Sequence, residues 1–385
     1  MDCDVTVRSG QERRFGLPAF AVCMIGILAG CLVMGPGVLN TSFQGHNDFR
    51  AFYIGGRLVG GDALYDVARV VAAQRQTFGE VNPHTMMVRP PFYYTFVAPL
   101  ARLPFRTAWL LWTVGQVLAM VLFVRLYPWG DRTALAMVCC WSLPLLWSFA
   151  AGQDFAFLLL ILAGGLWAFE RQKYLLAGLV LSLCAIKFHL FLLVPLLTFG
   201  EQRLRKGVWR TAAGLMLGLT ALLTGSFLVA GRDWPQKYVS MILNPEVSLG
   251  VKIMPNLHGL AANFPGLPFL EVFLSLLVIG MVWWVVRRRS FETGVAAVLV
   301  GGLLLSRHSY LWDCAILIPA LFAFIRNPSG FAVRWCALAL VPPVLYIFLI
   351  VRSSTIPVTL FFLLLVAVTL DRRPDLHRLS TETIG

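Results

Sequence analysis

The sequence predicts an all-α, polytopic integral membrane protein with about 12 transmembrane helices. Three observations carry that expectation. Hydrophobic residues make up 58% of the 385 and charged residues only 13%, where a soluble globule carries about a quarter charged. Mean hydropathy is +0.75. The apolar residues also fall in runs approaching the roughly 20 residues that a hydrocarbon core about 30 Å thick requires. A net charge of +13 invites a nucleic-acid reading. The basic residues instead stand in short clusters between apolar runs, which is how cytoplasmic loops are marked, so no nucleic-acid partner is expected.

Taken in order, the first run is Leu17 to Val38, preceded by Arg13 and Arg14. It is too long for a signal peptide and no small-x-small pattern closes it, so it reads as an uncleaved first span behind a cytoplasmic tail, 1–16. Leu39 to Val88 mixes charges, glycines and aromatics, and with the segment after it forms a first external loop over 39–106. Gly55, Gly56, Gly60 and Gly61 lack P-loop spacing and read as turns between short interfacial helices. Pro90 to Leu103 is interrupted by Pro99 and bounded by Pro104. Proline and short length together make it a re-entrant or interfacial segment rather than a span.

Further runs lie near 108–126, 133–150, 154–170, 174–200, 210–230, 268–287, 293–306, 310–325, 332–350 and 356–370. Arg171 with Lys173, Arg203 to Arg210, Arg287 to Arg289, Arg326 with Arg334, and Arg372 with Arg373 are expected in the cytoplasm. The run 174–200 joins two of these clusters, so it must cross twice or dip and return, with Lys187 and His189 at its middle. A continuous helix would leave Lys187 in hydrocarbon at a cost of a few kcal/mol. Both termini then lie inside, 371–385 is a second cytoplasmic tail, and 1–385 is a single membrane domain. The 8 cysteines sit mostly in apolar stretches without zinc spacing, so neither metal nor cofactor is expected.

This topology gathers on the outer side Asp48, Arg57 and Arg89 from the first loop, then Gln153, Asp154, Lys187 and His189, then Asn256, His258, Arg307 and His308. Asp48 sits where a polar loop meets the bilayer, placed to take a proton from a substrate whose other half lies in lipid. It reads as a general base or as a helix N-cap. Lys187, His189, Arg307 and His308 suit a phosphate headgroup, or they snorkel to the interface. Tyr53, Tyr65, Tyr93 and Tyr94 suit stacking on a sugar face, or an aromatic belt.

Asn47-Asp48-Phe49, Tyr53 to Arg57, Leu64-Tyr65-Asp66 and Pro90-Pro91-Phe92 follow in that order. Gly152-Gln153-Asp154, Ala185 to His189, Pro255-Asn256-Leu257 and Ser306 to Tyr310 with Asp313 continue the series. This series resembles glycosyltransferase family 87 over nearly the whole chain. The resemblance implies a membrane glycosyltransferase of the GT-C type, mannosyltransferase-like, at a bacterial inner membrane with its site on the periplasmic side. It implies inverting transfer of a hexose from a polyprenyl-phosphate donor to a lipid-linked or glycan acceptor, with the catalytic carboxylate on Asp48. Substrate contacts are expected from Lys187, His189, Arg307, His308, Asn256, His258, Gln153, Asp154, Arg57 and Tyr53. Two positions depart from the pattern: Arg307 stands where proline is expected, adding a phosphate ligand, and Asp154 stands where a neutral residue is expected, adding a rival carboxylate. The competing readings are a transporter or flippase of lipid-linked sugars, and a non-catalytic subunit of an envelope-polysaccharide machine.

Overall fold

The computed structural model of the protein describes residues 16–81, 89–199, 205–243, 250–326, 330–351 and 353–371. Arg13, Arg14, Arg203, Arg372, Arg373 and almost all of the two expected tails fall outside the described residues. Among the described residues the secondary structure is entirely helical.

The first helix, α1 (Leu17–Phe43), runs past the expected end of the apolar stretch and bends at Gly35, whose φ of 74° leaves the helical region just before Pro36. The front loop then holds α2 (Phe49–Leu58), α3 (Val67–Phe78) and α4 (Pro91–Ala101). Asp66 caps α3 by accepting from the Arg69 amide. Gly55 and Gly56 lie inside α2 rather than in a turn. At Gly56 a Cβ would stand 2.9 Å from that of Ala101, so this glycine lets α2 close on α4. With 11 residues, α4 is roughly 16 Å long, too short to cross hydrocarbon.

After α5 (Phe105–Leu126), α6 (Arg132–Trp141) and α7 (Leu143–Ala150) meet at a bend of 65°. Next come α8 (Phe155–Glu170) and α9 (Tyr174–Ser182), which passes into 3-10 turns over Leu183–Phe191 and Val194–Phe199. The second half holds α10 (Arg205–Ala230), α11 (Trp234–Ile242), α12 (Leu257–Ala262), α13 (Leu270–Arg288) and α14 (Phe291–Leu305). A 3-10 segment, Leu311–Leu317, leads into α15 (Ile318–Arg326), and α16 (Phe331–Ala339), α17 (Ile347–Ile350) and α18 (Thr355–Leu370) follow.

Among the described residues five helical stretches are long and apolar enough to cross a membrane, one of them Tyr174–Phe191, which joins α9 to the 3-10 turn after it, or up to seven when each of two bent pairs is taken as one span; α8, α14 and α18 are apolar but shorter. The sequence-based figure of twelve exceeds that number because the runs 154–170, 293–306 and 356–370 form helices of only 15 or 16 residues, and 310–325 divides into a 3-10 segment and the 9-residue α15. At Lys187, inside the candidate span Tyr174–Phe191, a φ of −128° and a ψ of 56° leave the helical region.

Close approach at glycine sets the packing around that break. Along α9 and α10, a Cβ on Gly178 would lie 2.0 Å from the Thr211 carbonyl oxygen, and one on Gly214 would lie 2.2 Å from that of Leu175. Backbones meet this closely only where no side chain intervenes. Helix α14 is buried along nearly its whole length, and a Cβ on Gly302 would fall 2.0 Å from the Leu190 carbonyl oxygen. The Lys187 segment is therefore wedged against the central helix.

Candidate active site

The start of α2 is joined to the α7–α8 turn by backbone. The Asp48 amide donates to the Ala151 carbonyl at 2.9 Å, and the Gln153 amide donates to Ser148 at 2.9 Å. Between them Gly152 adopts φ +69°, and a Cβ there would meet Asn47 Oδ1 at 2.9 Å and Phe49 Cβ at 3.0 Å. Only glycine fits both the left-handed conformation and the contact. Trp112 Nε1 donates to the Gly152 carbonyl at 3.1 Å and fixes the turn from α5. The turn presents Gln153 and Asp154 to the loop that carries Asp48.

From that turn a continuous line of polar contacts crosses the interior. Gln153 Nε2 donates to Asp48 Oδ2 at 2.6 Å, and Arg89 Nη2 donates to Gln153 Oε1 at 3.0 Å. Arg89 holds Asp154 through both carboxylate oxygens, at 2.9 and 3.1 Å. Lys187 Nζ lies 3.8 Å from Asp154 Oδ1 and donates to Asp313 Oδ1 at 2.6 Å. Asp313 Oδ2 accepts from the Tyr310 amide at 2.6 Å, closing a capping box at the head of the 3-10 segment. Aromatic faces line the cations: Lys187 Nζ is 3.9 Å from the Phe155 ring centroid, and the Arg89 guanidinium carbon is 5.4 Å from that of Phe52.

The charges do not balance evenly. Arg89 is matched by Asp154, and Lys187 by Asp313. Asp48 receives only a neutral amide, although Arg89 and Lys187 act on it from a distance. Burial accordingly pushes the Asp48 carboxyl up from 3.8, and the Gln153 hydrogen bond with the charges of Arg89 and Lys187 offsets only part of that rise. Burial by itself also pushes Asp154 up, but Arg89 and Lys187 outweigh it and hold Asp154 below the ordinary carboxylate value. Of the two neighbouring carboxylates, Asp154 is locked as an anion and Asp48 is the more basic. Asp48 occupies the N-cap position of α2 without making a cap hydrogen bond, and Asn47 Oδ1 accepts from the Phe49 amide instead. Asp48 stays half-buried, and Oδ1 has no hydrogen-bond partner among the described residues.

The remaining sequence candidates divide. Lys187, expected to face a phosphate, is 2% exposed and engaged by two carboxylates, so it is not available as a free cation. His189 and His308 lie within electrostatic range of Asp313, Lys187 and Arg89. Burial pushes His308 below 6.5, which leaves its imidazole neutral at pH 7. Arg307 is exposed and makes no ion pair among the described residues. Four candidates have other partners. Tyr53 is buried and donates to the Leu103 carbonyl at 2.7 Å. Arg57 is exposed and donates to Thr77 Oγ1 at 3.1 Å. Asn256 caps α12 through the Gly259 amide at 2.7 Å and donates to Ser309 Oγ at 2.9 Å, bracing the turn after Arg307 and His308. His258 Nδ1 lies 2.8 Å from Glu271 Oε2, on α13, and makes no contact with the line of charges.

Two members of that line have no role assigned from the sequence, although Arg89 is among the outer-side groups and Asp313 closes the motif series. Arg89 stands beside Pro90-Pro91 and reads as one more loop cation. Asp313 carries the clearer signal, a carboxylate inside the apolar run 310–325, where an ionisable group is a functional candidate by default.

Compared with known proteins, residues 88–311 match the model of glycosyltransferase family 87, more than half of the chain. No curated protein and no solved structure matches it. The matched region holds Arg89, Gln153, Asp154, Lys187, His189, Arg307 and His308, while Asp48 lies ahead of it and is tied to it by Gln153.

Proposed function

The chain belongs to glycosyltransferase family 87, and from that premise we propose that it transfers a hexose from a polyprenyl-phosphate donor to a lipid-linked or glycan acceptor, with Asp48 as general base. The observation that carries this reading is the unmatched carboxylate: of three acids in the buried line, Asp48 alone faces no cation directly, is made more basic by burial, and has one oxygen without a hydrogen-bond partner among the described residues. Such a group holds a proton well enough to take it from a hydroxyl as that oxygen attacks.

In the proposed step the acceptor oxygen attacks the anomeric carbon on the side opposite the phosphate. Its proton passes to Asp48, the bond from the anomeric carbon to the phosphate oxygen breaks, and the polyprenyl phosphate leaves with the bonding electrons. One displacement inverts the anomeric centre. Arg307, exposed and without an ion pair among the described residues, faces the leaving phosphate, with the neutral imidazole of His308 as a hydrogen-bond partner. Lys187 supports that loop from behind through Asp313 and the Tyr310 amide. The isoprenoid tail runs into lipid between apolar helices, and the site opens on the periplasmic side.

The test is transfer of labelled mannose from polyprenyl-phosphate mannose to a membrane-lipid extract by the purified chain in proteoliposomes. Asp48→Asn lowers transfer by about 100-fold or more while the protein still folds and inserts. Retained turnover by that variant overturns the assignment of the base.

A further inference from the structure

We propose that Arg89 is the positioning residue of this site: acting through Gln153, its guanidinium fixes the direction in which Asp48 presents its open oxygen. The inference rests on the reading of Asp48 as the base and concerns how that base is held.

A glutamine side chain carries a donor at one end and an acceptor at the other, and nothing in the residue decides which end faces a neighbour. Here the neighbours decide. Arg89 only donates, so it takes the Gln153 oxygen at 3.0 Å and leaves the Gln153 nitrogen to face Asp48 at 2.6 Å. If the amide turned over, an oxygen would face the carboxylate and drive Asp48 into another rotamer.

Arg89 is itself fixed on every side. Asp154 grips its Nε and Nη2, its carbonyl accepts from Tyr65 Oη at 2.7 Å, and its amide donates to Tyr94 Oη at 3.3 Å. The rings of Phe52 and Tyr93 flank the guanidinium at 5.4 and 6.0 Å. At 5% exposure Arg89 is screened from a substrate, and its hydrogen-bonded link to Asp48 runs through Gln153. Lysine cannot replace it, because a point charge does not hold a carboxylate bidentately and an amide oxygen at once.

The experiment is a double-mutant cycle on the full chain in proteoliposomes, with polyprenyl-phosphate mannose as donor. Arg89→Lys keeps the charge and lowers kcat about 10- to 100-fold with donor KM unchanged, the scale of a small misplacement of a reacting group. Gln153→Leu does the same, and the double variant is no worse than Gln153→Leu alone. Losses that multiply, or an Arg89→Lys variant with the wild-type kcat, overturn the proposal.

A second measurement needs no turnover. Gln153→Leu removes the donor to Asp48 without adding a charge beside it. In an infrared titration, the carboxyl band that Asp48→Asn abolishes then appears at higher pH than in the wild type, with Arg89, Lys187 and Asp313 still acting on it. An unmoved titration overturns the proposal. An inactive Asp48→Asn with multiplying Arg89 and Gln153 losses leaves the base in place and removes only the role of Arg89; an active Asp48→Asn overturns both.

Discussion

Lys187 Nζ lies 2.6 Å from Asp313 Oδ1, joining a break in one apolar segment to the first turn of another 126 residues away. Both side chains are nearly inaccessible. The pair ties the segment packed on α14 to the turn that carries Arg307 and His308.

Breaking the pair on one side leaves a buried charge without its partner. Lys187→Met or Asp313→Asn alone is expected to lower stability by about 3–5 kcal/mol, whereas the double variant regains most of it. Thermal unfolding in detergent measures the cycle.

Arg307→Ala removes an exposed residue without an ion pair among the described residues, so folding is expected to stay intact. Donor KM rises on the order of tenfold, corresponding to about 1.4 kcal/mol, the scale of one charge-assisted contact. Steady-state kinetics against donor concentration test this.

Asp48 gives opposite answers for activity and stability. Replacing a general base is expected to cost about 100- to 10,000-fold in turnover. Its folded pKa is raised, so the stability it contributes is present below 3.8 and is lost as pH rises through the raised value. Asp48→Asn therefore melts at or above the wild-type temperature at pH 7, and the gain fades toward acid. In the wild type the acid limb of the rate profile lies above the ordinary carboxylate value.

Asp154 runs the other way. Its folded pKa is lowered, so its contribution is complete above 3.8 and is lost as pH falls through the lower folded value. Asp154→Asn removes that acid dependence and destabilises at neutral pH by leaving Arg89 unmatched. Melting temperatures across a pH series in detergent distinguish the two variants.

Gly152→Ala is expected to lose about 1–2 kcal/mol from its φ of +69° alone, with a further loss from the collision with Asn47 and Phe49. Because the turn joins Asp48 to Gln153, kcat falls as well. Activity assayed well below the melting temperature separates the two effects.

Several of these residues were legible in the sequence for physical reasons. Asp48 stood out as an acid beside the end of the first apolar run, and Lys187 as a cation in the middle of another. What composition cannot convey is pairing. Asp154 looked like a rival base until Arg89 and Lys187 were seen to hold it as an anion. Lys187 looked like a phosphate ligand because Asp313 is so distant in the chain. Tyr53 and Asn256 sit in the family motifs, yet one hydroxyl is bonded to a carbonyl and the other side chain is a helix cap. The twelve crossings rest on apolar runs and basic clusters, and neither reports that the helices over 154–170, 293–306 and 356–370 stop at 15 or 16 residues.

The single amide between Asp48 and Arg89 also restricts where a proton can go. A guanidinium does not give up its charge, and a glutamine side chain is a poor conduit, so a hydrogen ion taken up by Asp48 has no inward route along that line. Under the proposed reaction, that hydrogen ion leaves Asp48 from the side at which the acceptor hydroxyl arrives.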